Sequence, residues 1–280
     1  MNNIPSSSET HTMRLTFLGT GTSTGVPEVG CTCPVCTSED ARDNRLRVSA
    51  LVETGDTRIL IDCGPDFRLQ MMPVPFGPID GVLLTHEHYD HTGGIDDLRP
   101  FCRFGDIDIF ADDLTCRHLR ERLPYFFREV LYPGVPRLHF HIAEPGAPLT
   151  IKDTEVLPVQ VLHGRLPILG YRIGSLAFIT DMLTAPEETY RALQGVDTLV
   201  VNALRHHAHP SHQTIEDAIA FSRAVGARET YIIHMSHEAG LHAETVQMLP
   251  PHVHLAYDGL VIEIPVTHRK QVTTDARQEW

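Results

Sequence analysis

Residues 85–91 read Thr85-His86-Glu87-His88-Tyr89-Asp90-His91 and follow directly on the apolar run Gly81–Leu84. Three imidazoles and the carboxylate of Asp90 crowd into the last six of these positions. Left buried without partners, such groups cost about 1–3 kcal/mol each. A loop of this kind at the end of a buried strand therefore calls for a cation. Along an extended loop alternate residues point the same way, so His86 and His88 can share one ion. Asp90 and His91 then turn toward a second. A solvated histidine-rich loop is the alternative, and the HxHxDH spacing argues against it.

The chain around this motif has 280 residues, 42% of them apolar, enough to build a substantial core. No run approaches the 18 apolar residues of a membrane-spanning helix. The opening MNNIPSSSETHT lacks the basic-then-apolar layout of a secretory signal. It reads as a loose tail over residues 1–12, and the location expected is cytoplasmic, with no membrane partner. Lys and Arg number 23 against 36 Asp and Glu, a net charge of −13. A grip on extended nucleic acid needs a basic footprint that this chain lacks. A small anionic substrate stays open, because a metal pair attracts an anion locally whatever the global charge.

Eighteen histidines and six cysteines stand out from ordinary usage. Cys31, Cys33 and Cys36 lie too close together for a disulfide framework among themselves, and in a chain without a signal peptide such spacing means metal. Cys63, Cys102 and Cys116 read as small buried apolar residues.

Periodicity places strands at Arg14–Gly19, Leu46–Glu53, Arg58–Asp62, Gly81–Leu84 and Ile107–Phe110. Thr54-Gly55-Asp56 reads as a hairpin turn. Asp112–Phe127 reads as one helix. The second half repeats the theme. Strands are expected at Glu155–Leu162, Ile168–Ile173, Leu176–Thr180, Thr198–Val201 and Thr230–Ile233, and helices at Pro186–Leu193, Thr214–Val225 and Thr245–Leu249. Thr214 with Asp217 is a capping box. A Tyr-Asp-Gly turn and a last strand close the run Ala256–Ile264. Two facing sheets with helices outside satisfy this α/β pattern in one domain over residues 13–268, followed by a loose tail at 269–280.

HxHxDH after an apolar strand resembles the metallo-β-lactamase superfamily, and the resemblance runs from Met13 to Ile264. It implies an αββα sandwich of two mixed sheets and a binuclear metal centre. The remaining ligands should then end later strands. His163 follows VLPVQVL, Asp181 follows LAFIT and His234 follows ETYII. By family analogy His86, His88 and His163 bind one ion, Asp90, His91 and His234 the other, and Asp181 bridges them. Asp62, ending RILID, matches the family's early aspartate, which accepts a hydrogen bond from a ligand histidine.

Cys31, Cys33 and Cys36 supply three thiols of a tetrahedral zinc site and lack a fourth ligand, for which His237 in IIHMSH is the candidate. This combination is similar to the phosphodiesterase group of the carbon–phosphorus lyase pathway, which hydrolyses a cyclic ribose phosphate. Pyrroloquinoline-quinone biosynthesis protein B has a similar cysteine loop. His212, in Pro210-Ser211-His212-Gln213-Thr214, matches that group's phosphate-facing histidine, with His206, His207 and His209 as alternatives in LRHHAH. The resemblance implies a metal-dependent phosphodiesterase for a small anionic, cyclic ribose, phosphodiester, with hydroxide generated between two divalent ions, Mn²⁺ or Zn²⁺, and one structural Zn²⁺. His212, Asp90 and Asp62 are its expected catalytic residues, and a homodimer is compatible with it. The rivals are a ribonuclease Z-like nuclease, suggested by FLGTGTS, a lactonase or thioesterase, and a non-hydrolytic cofactor-biosynthesis protein.

Overall fold

A computed structural model describes residues 12–128, 130 and 134–265. Of the expected tails, 1–12 and 269–280, all but residue 12 lie outside the described residues, as does the expected domain end at 268. Thr12 already belongs to the first strand.

Fourteen strands among the described residues form two seven-stranded sheets. The first contains β1 (Thr12–Gly19), β2 (Ser49–Thr54), β3 (Thr57–Ile61), β4 (Gly81–Leu83), β5 (Ile107–Ala111), β6 (Leu138–Ile142) and β14 (Val261–Pro265). The second contains β7 (Leu149–Ile151), β8 (Thr154–His163), β9 (Leu166–Ile173), β10 (Leu176–Ile179), β11 (Thr198–Asn202), β12 (Glu229–Ile233) and β13 (Val253–Leu255). Their orders are β14-β1-β2-β3-β4-β5-β6 and β13-β12-β11-β10-β9-β8-β7. Both sheets are mixed: hairpin-joined strands pair antiparallel, as β1 does with β14 and β2, and strands joined by crossovers (β3 to β6, β10 to β13) pair parallel.

Strand periodicity generates the four layers. In β3, Ile59 and Ile61 face the space between the sheets, while Leu60 faces the outer helices. In β10, Leu176 and Phe178 point inward, and Ala177 and Ile179 outward. Both faces are buried, so these strands read as unbroken apolar runs rather than as alternating ones. Phe67, Leu98, Cys116 and Leu119 cover the outside of the first sheet. Leu193, Ile215, Phe221 and Val225 cover the second.

Local chemistry sets the ends. The β2–β3 hairpin closes through Gly55-Asp56 with Thr54 opposite Thr57, and Gly55 takes φ 54. The helix Ile215–Val225 has the expected Thr214/Asp217 capping box and ends at left-handed Gly226. The helix expected over Asp112–Phe127 is shorter. It spans Asp113–Arg122, capped by Asp112, and gives way to a 3₁₀ turn at Pro124–Phe127. Pro124 lacks an amide hydrogen and forces the residue before it out of helical geometry. The segment expected as one helix over Thr245–Leu249 is a turn of α-helix, His242–Thr245, followed by 3₁₀, Val246–Met248. The edge strands β6, β7 and β13 carry no sequence expectation. They are short, and in β6 the exposed residues interrupt the apolar run. Among the described residues no helix is long and apolar enough to cross a membrane.

Two bonds between the sheets hold the root of the histidine loop. Tyr171 of β9, fully buried, donates its hydroxyl to the carbonyl of Leu84 at 2.6 Å. The amide of Leu169 donates to the carbonyl of Thr85 at 2.9 Å. Tyr171→Phe removes the first donor and leaves a buried carbonyl short of a partner, so it should cost about 1–3 kcal/mol. Urea denaturation checks this as a lower midpoint at unchanged slope.

Candidate binuclear metal centre

The carboxyl ends of the parallel strands from both sheets converge, the usual location of a ligand crevice in α/β folds. Asp62 follows β3, the His86–His91 loop follows β4, His163 ends β8, and Asp181 and His234 follow β10 and β12. Asp62, Asp181 and His234 have φ of 58, 55 and 57°. Left-handed backbone is costly for residues other than glycine and is tolerated best by Asn, Asp and His. Their side chains are thereby turned off the strand axis. Gly64 allows the two loops to meet: a Cβ there would lie 2.0 Å from the carbonyl oxygen of Asp90. The amide of Cys63 donates to the carbonyl of His91 at 2.8 Å across the same approach.

Asp62 is wholly buried and accepts from the Thr85 amide at 2.8 Å, the Thr85 hydroxyl at 2.9 Å and His91 Nδ1 at 2.7 Å. Nε2 of His91 is thus left facing the centre, 3.0 Å from Asp90 and 3.3 Å from Asp181. Nε2 of His234 lies 3.2 Å from Asp181 and 3.6 Å from Asp90. The other Asp181 oxygen faces His86 at 3.9 Å and His212 at 4.0 Å. The His88 ring lies 4.5 Å from that of His86 and 5.2 Å from that of His163. Nδ1 of His163 is spent on the carbonyls of Asp181 at 2.9 Å and Ser211 at 3.0 Å, which leaves its Nε2 for a ligand.

All seven expected ligands meet at one place. Asp90, His91, Asp181 and His234 form one group of converging donor atoms, His86, His88 and Asp181 a second, and His163, Asp181 and His212 a third. Asp181 belongs to all three, as a bridging carboxylate must.

The donors fit a cation. His91 Nε2, His234 Nδ1 and Nε2, and His212 Nδ1 are buried without hydrogen bonds. His91 Nε2 is near two carboxylates yet aligned for a bond with neither, as happens when lone pairs aim at a common point. Burial alone would raise Asp90 and Asp181, but His91 beside Asp90, and His234 and His91 beside Asp181, hold both below the usual carboxylate range. Burial lowers His91, yet Asp90, Asp181 and Asp62 around it push it well above the ordinary value. Burial, then the neighbouring His91, keeps His86 low and neutral, the form that ligates.

His212 is the one histidine of its segment that reaches the centre. Its ring lies 4.6 Å from that of His163 and 4.9 Å from that of His234. Burial, then His234, pushes it down to about 3. The His209 ring lies tilted against it at 5.0 Å, and His206 is turned toward Glu216. Three supports carried no sequence signal beyond their type: Thr85 on Asp62; Thr180, whose hydroxyl donates to Asp181 at 2.6 Å; and buried Asn202, whose amide holds both backbone groups of Met182.

Cys31, Cys33 and Cys36 place their sulfurs 3.2, 3.6 and 3.3 Å from His237 Nδ1, which forms a compact four-donor cluster. The amide of Cys36 donates to Cys33 sulfur, and that bond leads in lowering the thiol to about 7. Burial raises Cys36 to about 11. Nε2 of His237 faces Glu28 at 3.6 Å. The cluster joins the N-terminal loop to a residue three positions past His234.

The profile of the beta-lactamase superfamily domain matches residues 57–235. The chain belongs to the metallo-β-lactamase superfamily. It is 37% identical to a crystal structure described as a new diphosphatase from the PhnP family, with a TM-score of 0.85 over 91% of this chain and 98% of that one. It is 49% identical over 250 residues to a protein of Porphyromonas gingivalis named octanoyltransferase, covering 89% of this chain and 51% of that protein. The chain thus spans about half the length of that relative. Coenzyme PQQ synthesis protein B of a Methylobacterium species is 34% identical over 223 residues, 67% of this chain and 72% of that protein. The metallo-β-lactamase fold implies divalent metal ions and a metal-dependent hydrolase, and the two donor clusters are where such ions would sit.

Two measurements test these clusters. Asp62→Ala should weaken metal binding at the histidine site about 10–100-fold, read by competition with a chelator. Cys33→Ser should lower both bound zinc and melting temperature; equal zinc per chain in variant and parent would remove Cys33 from the site.

Proposed function

We propose that this chain is a phosphodiesterase for a small anionic phosphodiester, a cyclic ribose phosphate being the substrate class expected first. The observation that carries this reading is the sharing of Asp181 among all three groups of converging donors, with His212 Nδ1 4.0 Å from its carboxylate. Two divalent ions, Mn²⁺ or Zn²⁺, held there would supply Lewis-acid polarisation of a phosphoryl oxygen and a nucleophile at neutral pH. The chain's own part is geometric. Asp62 orients His91, the carbonyls of Asp181 and Ser211 orient His163, and the Thr180 hydroxyl orients Asp181. His212, with a buried and unpaired Nδ1, is placed to donate a hydrogen bond to a phosphoryl oxygen. The Cys31/Cys33/Cys36/His237 cluster, with one Zn²⁺, would serve stability alone.

A second reading, hydrolysis of a diphosphate, is favoured by the description of the 37% identical relative. Both are phosphoryl transfers to water and use the same donors. A nuclease acting on extended RNA is disfavoured by the charge of −13. The name octanoyltransferase belongs to a protein twice the aligned length, and we take the transferase activity to reside outside the shared half. The intact ligand set favours turnover over a non-hydrolytic biosynthetic role.

A panel of cyclic ribose phosphates, 2′,3′-cyclic nucleotides, bis-p-nitrophenyl phosphate and nucleoside diphosphates, assayed with Mn²⁺ and with Zn²⁺, separates these readings. Turnover of the diesters supports the proposal, and turnover of diphosphates alone replaces it with the second. His212→Ala should lower kcat about 10²–10⁴-fold while metal content stays at the parent level. A normal kcat would clear His212 of any part in the reaction.

A further inference from the structure

The helix Asp113–Arg122 holds none of the candidate ligands, yet two of its side chains reach the histidine loop. His118 pairs through Nδ1 with the Glu87 carboxylate. Arg122 donates Nη2 to the Thr92 hydroxyl and Nη1 to the carbonyl of Glu87 at 3.5 Å. The Thr92 hydroxyl donates in turn to the carbonyl of His88 at 2.8 Å. A hydroxyl has one hydrogen to give. With Arg122 filling a lone pair of Thr92, that hydrogen is left to two carbonyls, the nearer that of His88 at 2.8 Å and the farther that of Glu87 at 3.2 Å. The result is a one-way chain, Arg122 to Thr92 to His88, of the kind in which each bond strengthens the next.

His88 is the ligand that needs such a chain. His86 and His91 are buried, whereas His88 is exposed. His91 is anchored through its ring by Asp62, and His163 through its ring by two carbonyls. His88 stands at the start of the one-turn helix Tyr89–Thr92 and makes no side-chain capping bond. Its ring Nδ1 lies 2.9 Å from Nε2 of His86, itself a candidate ligand, and its backbone carbonyl receives the bond from Thr92. Arg122 forms no ion pair with any described carboxylate, and its bonds go to the Thr92 hydroxyl and the Glu87 carbonyl.

We propose that Arg122 is a positioning residue for the metal subsite to which His88 belongs, acting through Thr92. This rests on the two-ion reading above. Loss of the guanidinium frees Thr92 to turn away, loosens His88 and weakens one of the two ions. The other ion, on Asp90, His91 and His234, keeps its Asp62 anchor.

The test is metal per chain by plasma mass spectrometry, after dialysis against graded chelator, for the parent, Arg122→Ala, Arg122→Lys, Thr92→Val and Leu119→Ala. The parent should hold two ions beyond the cysteine-site zinc. Arg122→Ala and Thr92→Val should keep that zinc and one ion, and bind the other about 10–100-fold more weakly. Arg122→Lys, which keeps one donor, should recover part of the loss. Leu119→Ala removes a buried side chain of the same helix and should lower the melting temperature with metal content unchanged. The proposal is overturned if Arg122→Ala binds both ions as the parent does, if it loses both together, or if Leu119→Ala loses the same ion equally. A parent that binds only the cysteine-site zinc would overturn the two-ion reading itself, a result visible before any variant is compared.

Discussion

The carboxylate of Asp62, with no surface of its own exposed, joins the end of β3 to the first residue of the histidine loop and to the ring of His91. A buried carboxylate is tolerated only when its lone pairs are filled. Here Thr85 and His91 fill them, and that requirement fixes the loop to the sheet. The tautomer of His91 follows, since Nδ1 carries the hydrogen and Nε2 is left to face the centre. Burial pushes Asp62 upward while these donors pull it back. The balance is kept by geometry that neither strand provides alone.

The second sheet completes what the first begins. Asp181 and His234 leave their strands in left-handed backbone and turn into the crevice. Three carboxylates, Asp62, Asp90 and Asp181, surround His91. An excess of buried negative charge with orphaned imidazole nitrogens is unstable unless a cation is supplied. The fold therefore stores, at the seam between its sheets, a demand for metal. The bonds from Tyr171 and Leu169 to the root of the histidine loop keep that seam closed.

The cysteine cluster acts on the same seam from outside. His237 lies three residues past His234, and the segment between them pairs with the N-terminal loop, the Met235 amide on the Thr20 carbonyl and the Thr22 amide on the Met235 carbonyl. Asp258 and buried Arg45 both bond the Thr20 hydroxyl, anchoring the other end of that loop. Burial raises Asp258 to about 6. A second metal-type cluster is thus coupled to a candidate ligand of the first by a short, hydrogen-bonded stretch of backbone.

Much of this was legible in order along the chain. HxHxDH lies within seven residues, and its need for a cation follows from crowding alone. The apolar runs gave most strands, because burial on both faces removes polar interruptions, and each expected ligand sat where such a run stopped. Short edge strands left no such run, and Pro124 ended a helix that apolar spacing continued. What the sequence could not decide was distance. That Asp181 lies in all three donor groups, that His212 rather than His206, His207 or His209 reaches the centre, and that Arg122 grips Thr92 across 30 positions all depend on how two sheets stack. Ligand chemistry is a property of residue types and is written locally. Their convergence is a property of packing, set by which faces the strands bury and by the backbone turns at their ends.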